Sequence, residues 1–304
     1  NTDGIDLESC DTVLVEGCSL DQTDDTYTIK SGFNERGRKR NRPTQNVVIR
    51  NCRAVHGHAL LAIGSEVSGG VRNIWMTDCS VEGECWNWLY IKTNSKRGAY
   101  VENVTMENIR GRRASQAVMN VDMFYDGNPN KELTKKGGQL WCTRIDGVNV
   151  RNVVCEEAGR IVRMNADTKL PPVNLSARNI RVGRLRINDG KNPVSIRNVS
   201  GMKVENVRID PSAVGEVLDL PEGVRILDAA GGADFSGDVV FDRGVFEEIS
   251  ENECVRRVLK GRIAAEVSND RNCAPRVVPS KIDDMPETLE GNRTKRVYRA
   301  LVDV

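Results

Sequence analysis

Three aspartates near the start of the chain have the residue type and arrangement needed for acid–base chemistry. Asp3 lies in the segment Asn1-Thr-Asp-Gly-Ile-Asp6, and Asp24 and Asp25 are adjacent in Thr23-Asp-Asp-Thr26. Carboxylates that lie close together cannot all ionise cheaply, so one of them is expected to retain a proton at mildly acidic pH. Such a group could protonate a leaving oxygen while an ionised neighbour activates water. The alternative is that these residues belong to solvated turns.

Two further polar segments follow the aspartates. His58 lies in His56-Gly-His-Ala59, and Lys92 lies in Tyr90-Ile-Lys-Thr-Asn94. A histidine can hydrogen-bond to a carboxylate, and an ammonium group can bind an anionic substrate as a strong charge without a fixed direction. Taken singly, the histidine is equally well an exposed loop residue and the lysine a solvated residue at a strand edge.

A repeat in the sequence indicates how these segments are positioned. Its copies read (Asn or Gly)-x-x-x-x-(Asn, Asp or Gly)-(apolar or Cys), often about 27 residues apart, with apolar residues alternating inside each copy. The copies are Asn46–Cys52, Asn73–Cys79, Asn103–Ile109, Gly147–Val153, Asn174–Ile180 and Gly201–Val207, with a looser one at Thr12–Cys18. Short strands at such an interval predict a solenoid, in which successive copies stack. The polar segments then fall on successive coils and meet on one face.

The repeat favours an all-β right-handed parallel β-helix over a β-sandwich or a leucine-rich repeat, which would need a leucine frame. The Asn before the final apolar residue suits a sharp corner, because Asn tolerates the left-handed conformation. We expect this domain to span residues 1–230, and a C-terminal cap and tail to span 231–304. Within the latter, Ser250-Glu-Asn-Glu253 resembles a capping box before a short amphipathic helix.

Composition excludes several classes of function. The 304 residues include 44 basic and 43 acidic side chains, which leaves a net charge of +1 and no sign of a nucleic-acid footprint. No apolar run is long enough to cross a bilayer. Nine cysteines occur with only two histidines and without zinc-type spacing. We interpret most of them, including Cys18, Cys52 and Cys79, as small buried residues, and Cys254 and Cys273 as the best candidates for a bridge.

The four polar segments resemble the motifs of glycoside hydrolase family 28, the polygalacturonases, in order and spacing. Those motifs are Asn-Thr-Asp, Asp-Asp, Gly-His-Gly and Arg-Ile-Lys, and the flanking residues resemble the bacterial exo-acting branch. The motif similarity covers residues 1 to about 110, and the repeat continues to about 228. The resemblance implies a pectin-lyase-like solenoid. It also implies that coils preceding residue 1 are missing from this chain.

The resemblance implies inverting hydrolysis of a pectic glycosidic bond. Asp24 would be the general acid, Asp3 and Asp25 would position and deprotonate water, and His58 would support the protonation state of the site. Asn1, Gly57, Tyr90 and Lys92 fall at substrate-binding positions, with Lys92 expected to bind the substrate carboxylate. Inverting enzymes usually hold their two carboxyl groups roughly 6.5–9.5 Å apart.

Two motif positions depart from the family pattern. Tyr90 stands where the family has Arg, which removes a planar group able to bind a carboxylate bidentately. Ala59 replaces a Gly, so a Cβ is expected where backbone approaches sugar. Trp86, Trp88 and Tyr90 bring aromatic residues that either stack on sugar or pack in the core.

These observations predict a glycosidase acting on polygalacturonate, or on an esterified galacturonide or a rhamnogalacturonan. The alternatives are an inactive carbohydrate-binding β-helix and a calcium-dependent lyase. A basic segment, Arg36–Arg42, is expected to form a loop that is either solvated or attracts anionic polymer. We expect no cofactor or metal, no nucleic-acid or membrane partner, and a monomer. Because pectin is extracellular, we expect a secreted or periplasmic location.

Overall fold

The computed structural model describes residues 2–127, 138–167, 169–185, 194–197, 199, 202–209 and 224–226. Its strands are β1 Ile5–Glu8, β2 Asp11–Glu16, β3 Ser19–Leu20, β4 Tyr27–Lys30, β5 Thr44–Arg50, β6 Arg53–Gly64, β7 Val71–Thr77, β8 Ser80–Lys92, β9 Tyr100–Asp122, β10 Arg144–Ala158, β11 Val162–Asn165, β12 Val173–Leu185, β13 Val194–Arg197, β14 Lys203–Ile209 and β15 Val224–Ile226. One helix, α1, spans Asn34–Arg40.

Each strand pairs in parallel with the strand one coil later in the chain, which makes the fold a right-handed parallel β-helix, as predicted. One column of strands runs β2, β5, β7 and the first part of β9. A second column contains β1, β4 and the last parts of β6, β8 and β9, and it continues into β11 and β13. We call this second column the site column, because the predicted site residues lie on it or beside it.

Interior ladders of apolar side chains hold the coils together. In the site column, one ladder contains Leu7, Ile29, Ile63, Ile91, Val121 and Met164. All six are buried, which is expected because a single coil cannot cover its own apolar face. Full burial of a side chain of this size contributes about 1.5–3 kcal/mol. The alternating residues of these strands point outward, and we call the outer surface that they form next to the predicted site residues the cleft.

Asparagines stack at the corners of the solenoid. The predicted corner residues Asn51, Asn108, Asn152 and Asn179 all adopt positive φ, between 51° and 54°. Their side chains also form a ladder, in which Asn152 Nδ2 donates to Asn108 Oδ1 at 3.3 Å and Asn179 Nδ2 donates to Asn152 Oδ1 at 3.1 Å. The first residue of several copies, such as Asn46, is also left-handed, which the sequence analysis did not anticipate.

The structure clarifies three other features of the sequence. Cys18, Cys52 and Cys79 are small buried residues, as predicted, each on a successive coil. The expectation of a plain loop over Arg36–Arg42 is wrong, because most of that segment belongs to α1. No helix in the described ranges is long and apolar enough to cross a bilayer. The predicted C-terminal cap, its capping box at Ser250–Glu253 and the Cys254–Cys273 bridge lie outside the described residues.

Candidate active site

The three aspartates come together at one edge of the site column. Asp3 immediately precedes the segment that leads into β1, and Asp24 and Asp25 precede β4 on the next coil. The Gly4 N–H donates to the Asp25 carbonyl oxygen at 2.8 Å, which fixes the two segments side by side. A Cβ on Gly4 would lie 2.4 Å from the Thr26 carbonyl oxygen, so glycine is required there. One carboxylate oxygen from each aspartate lies within 4.8 Å of the other two.

Asp25 is the buried member of the group. It is 1% exposed, and its Oδ2 accepts a hydrogen bond from Lys92 Nζ at 2.5 Å. Burial raises the pKa of Asp25, and the charge and hydrogen bond of Lys92 only partly oppose that rise. Its second oxygen, Oδ1, is buried without a hydrogen-bond partner. A buried acceptor without a donor is costly unless the group is protonated or a ligand binds to it.

Asp3 has the opposite electrostatic environment. Burial opposes its ionisation, but the hydrogen bond and charge of Lys30 outweigh that effect and lower the pKa of Asp3. Lys30 Nζ lies 2.8 Å from Asp3 Oδ2 and 3.0 Å from Asp6 Oδ2. Asp3 is therefore held as a carboxylate into the acidic range. The sequence analysis did not identify Lys30, which lies at the end of β4, the strand that pairs with β1 beside Asp3.

Asp24 is the aspartate that faces His58. His58 Nδ1 lies 3.1 Å from Asp24 Oδ1, and the side chains of His58 and Asp24 are 31% and 28% exposed. The His58 backbone N–H also donates to the Asp24 carbonyl oxygen at 2.8 Å. Asp24 Oδ1 accepts a further hydrogen bond from the Asp25 N–H at 3.0 Å. Asp24 thus combines access to solvent with a fixed orientation, which a proton donor to a substrate needs.

Gly57 and Ala59, the two residues that flank His58, are both buried. Gly57 is buried, and a Cβ there would lie 2.7 Å from Thr26 Oγ1 and 2.9 Å from the Asp24 carbonyl oxygen. Glycine at this position therefore allows β6 to approach the aspartate pair. Its contact with substrate stays a prediction. The side chain of Ala59 is fully buried, so its methyl group does not narrow the cleft.

Lys92 lies beside two aromatic rings as well as against Asp25. Its ammonium nitrogen is 5.5 Å from the ring centre of Tyr90 and 5.2 Å from that of Tyr125, within cation–π range. The two tyrosines meet edge to face, with ring centres 6.3 Å apart. Lys92 was expected to bind a substrate carboxylate, but its charge is already committed to Asp25. Tyr125 was missed, because it follows β9 in a segment without a motif.

The aromatic residues of β8 divide between core and cleft. Trp88 is fully buried, and its indole N–H donates to the Arg113 carbonyl oxygen at 3.1 Å. Trp86 is 43% exposed and stacks on His58, with ring centres 4.0 Å apart and planes inclined by 27°. The core interpretation is therefore correct for Trp88, whereas Trp86 presents an aromatic surface beside the Asp24–His58 pair. Asn1 lies outside the described residues.

The arrangement suits the activation of one water molecule. Two oxygens up to 4.8 Å apart can both accept a hydrogen bond of about 2.8 Å from a single water, at an angle close to tetrahedral. Three carboxylates at this spacing could also bind a hard cation. However, Lys30 and Lys92 already place two ammonium groups against Asp3 and Asp25 and neutralise much of their charge.

Comparison with known proteins agrees with this geometry. Residues 1–207 match the family described as Glycosyl hydrolases family 28, and the chain belongs to that family. A probable polygalacturonase from Vitis vinifera is 28% identical over 204 residues, which are 66% of this chain and 40% of the relative. A polygalacturonase from Ralstonia solanacearum is 30% identical over 128 residues, 41% of this chain and 22% of the relative.

A solved structure shares the fold. The crystal structure of a hyperthermoactive exopolygalacturonase from Thermotoga maritima superposes with a TM-score of 0.58 at 27% identity, covering 69% of this chain and 44% of that one. The chain thus spans less than half the length of each of these three relatives.

Proposed function

We propose that this chain hydrolyses glycosidic bonds of pectic polysaccharide, in the manner of its polygalacturonase relatives. The observation that carries the proposal is the convergence of Asp3, Asp24 and Asp25, because one oxygen from each lies within 4.8 Å of the other two and Asp3 and Asp24 are partly exposed. Family membership and the names of the relatives support the substrate class. Since the substrate lies outside the cell, we propose a secreted or periplasmic protein. All the proposed catalytic residues come from one chain, which is consistent with a monomer.

The local environments suggest a role for each aspartate. Asp24 is accessible and oriented by His58, so it is the proposed general acid that protonates the leaving oxygen. Asp3 stays ionised because of Lys30, so it is the proposed acceptor of the water proton. Asp25, paired with Lys92, would help to position the same water through the carboxylate oxygen that lies within 4.8 Å of the Asp3 and Asp24 oxygens. One of the three crowded aspartates was expected to have a raised pKa. That aspartate is Asp25, and burial is the main cause of the rise.

Inversion of the anomeric centre remains part of the proposal. It rests on the family resemblance. The bridging-water geometry supports inversion, since a retaining mechanism needs one carboxylate free to attack the sugar. Both Asp3 and Asp25 instead bind lysines. Proton NMR of the first-formed reducing ends distinguishes the two outcomes.

Rhamnogalacturonan is a second candidate substrate. Lys92 is paired with Asp25 and lies beside the rings of Tyr90 and Tyr125, so the position next to the cleavage point offers aromatic surface in place of a free cation. That surface favours a sugar without a carboxylate at this position. Polygalacturonate and rhamnogalacturonan should therefore be compared as substrates.

The decisive experiment measures the release of reducing ends from both polymers by the wild type and by Asp24→Asn. Loss of a general acid typically lowers the rate about 10²- to 10⁴-fold. Asp21→Asn is the matched control, because Asp21 also contacts a histidine, His56, at 2.9 Å, but its side chain is 62% exposed. Activity that disappears only in Asp24→Asn supports the proposal. No release by folded wild type from either polymer would contradict it and favour a carbohydrate-binding role.

A further inference from the structure

A second group of polar side chains lies on the outer face of the site column, further along the solenoid axis. In β11, Val162 and Met164 are buried in the interior, whereas Arg163 and Asn165 alternate with them and point outward, half-buried. On the next coil, β13 carries the exposed Arg197. This group has no part in the proposed catalytic chemistry.

The register places these residues in line with the cleft. Tyr90 pairs with Asn120, and Asn120 pairs with Arg163. In the neighbouring row, Lys92 pairs with Asp122, Asp122 with Asn165, and Asn165 with Arg197. Adjacent strands lie about 4.8 Å apart, so Arg163 is roughly 10 Å along the axis from Tyr90. A polymer that continues along this face would present a different sugar residue to Arg163 than to Tyr90.

The side chains of Arg163, Asn165 and Arg197 form no hydrogen bond or ion pair within the described part of the chain. By contrast, Arg113 pairs with Glu84 at 3.0 Å, and Arg151 pairs with Glu107 at 2.6 Å.

The nearest acidic residue in register with this group is Asp122, whose Oδ1 accepts the Phe124 N–H at 2.9 Å. The positive charge of Arg163 also acts on Tyr90. Burial raises the pKa of Tyr90, and the charge of Arg163 partly opposes that rise.

We propose that Arg163, Asn165 and Arg197 form a distal subsite that binds the carboxylate of a uronosyl residue in the polymer being cut. A guanidinium group matches a carboxylate through two parallel hydrogen bonds, and the Asn165 amide can bond a neighbouring hydroxyl group. The proposal rests on the proposed function and names where this chain recognises substrate charge. With Lys92 committed to Asp25, that recognition moves away from the cleavage point to β11 and β13.

The test is calorimetric titration with a short and a long galacturonate oligomer, a dimer and a hexamer, in the Asp24→Asn background so that no substrate is consumed. Adding Arg163→Gln should weaken hexamer binding about tenfold, since a charged hydrogen bond is lost, and leave dimer binding unchanged. A fully methyl-esterified hexamer should bind equally well with and without Arg163. Arg110→Gln is the charge-matched control, because Arg110 is exposed and lies outside the site column.

Two results would overturn the subsite. One is hexamer affinity that does not change in Arg163→Gln, and the other is an equal loss for dimer, hexamer and esterified hexamer, which would indicate a general structural effect. Failure of the proposed function has a different signature. In that case oligomers bind in a length- and charge-dependent manner, but the wild type releases no reducing ends.

Discussion

Replacement of Lys92 by Met tests whether this lysine serves Asp25 or the substrate. The ammonium group is 2.5 Å from Asp25 Oδ2, and the two side chains are 11% and 1% exposed. Removing one partner of a buried ion pair leaves the other charge without compensation and typically costs about 3–5 kcal/mol. For a domain of this size, we expect the melting temperature to fall by about 10 °C.

The loss of stability should depend on pH, with a sign that follows from Asp25. The pKa of Asp25 is already raised above its unfolded value of 3.8 by burial, and loss of Lys92 raises it further. A folded-state pKa above the unfolded one penalises folding at pH values where the unfolded carboxyl is ionised. The difference between wild type and Lys92→Met should therefore be largest near neutral pH and shrink as the pH falls towards about 4. Thermal unfolding followed by circular dichroism measures it.

Lys39→Met is the control for this experiment. Lys39 pairs with Glu35 at 2.7 Å, a similar distance, but both side chains are at least 70% exposed, so the melting temperature should not change measurably. An unchanged melting temperature in Lys92→Met, with a higher KM for charged oligomers alone, would refute the reasoning. That result would mean that Lys92 binds the substrate carboxylate, as the family resemblance implies.

Three further predictions concern other residues of the site and the fold. Lys30→Met should raise the pKa of Asp3, so the acidic limb of the kcat/KM profile should move to higher pH; an unchanged limb would exclude Asp3 as the base. Trp86→Ala should lower kcat about tenfold or more, because His58 is released from its stacked position. Trp86→Phe should retain most of the wild-type kcat, and an equal loss in both variants would contradict a role for stacking. Asn108→Ala should destabilise the fold more than Asn108→Gly, by about 1 kcal/mol in urea unfolding, because only Ala adds strain at φ 53°. Equal losses would show that the side-chain ladder alone matters.

The repeat made the fold predictable from sequence, because one local rule recurs on every coil. Alternating apolar residues in Asn46–Cys52 and its later copies correspond to β5, β7 and the first parts of β9, β10 and β12. The corner residues Asn51, Asn108, Asn152 and Asn179 are left-handed for the reason given, since the Asn side chain tolerates that conformation. The helix α1 was missed, because seven residues rich in arginine show no apolar stripe.

The site was only partly predictable, because its interactions cross coils that are far apart in sequence. The convergence of Asp3 with Asp24 and Asp25 follows from stacking and was expected. The ion-pair partner of each aspartate could not be predicted. Lys92 contacts Asp25 across 67 positions of sequence, and no local pattern encodes that contact. Tyr125 was missed for the same reason. Gly57 has a packing requirement that its motif did not reveal, because a Cβ there would lie 2.9 Å from the Asp24 carbonyl oxygen.

The buried thiols have a consequence for how this molecule opens. Cys18, Cys52, Cys79 and Cys155 lie on different coils, and each is at most 2% exposed. In a stack of similar units, opening can involve one end or a few neighbours without unfolding the rest. The rate at which each thiol reacts with an alkylating reagent, followed by mass spectrometry, therefore reports the opening of its own coil. Such a measurement would give the free energy of opening for each of these coils, whereas a single melting temperature averages over all of them.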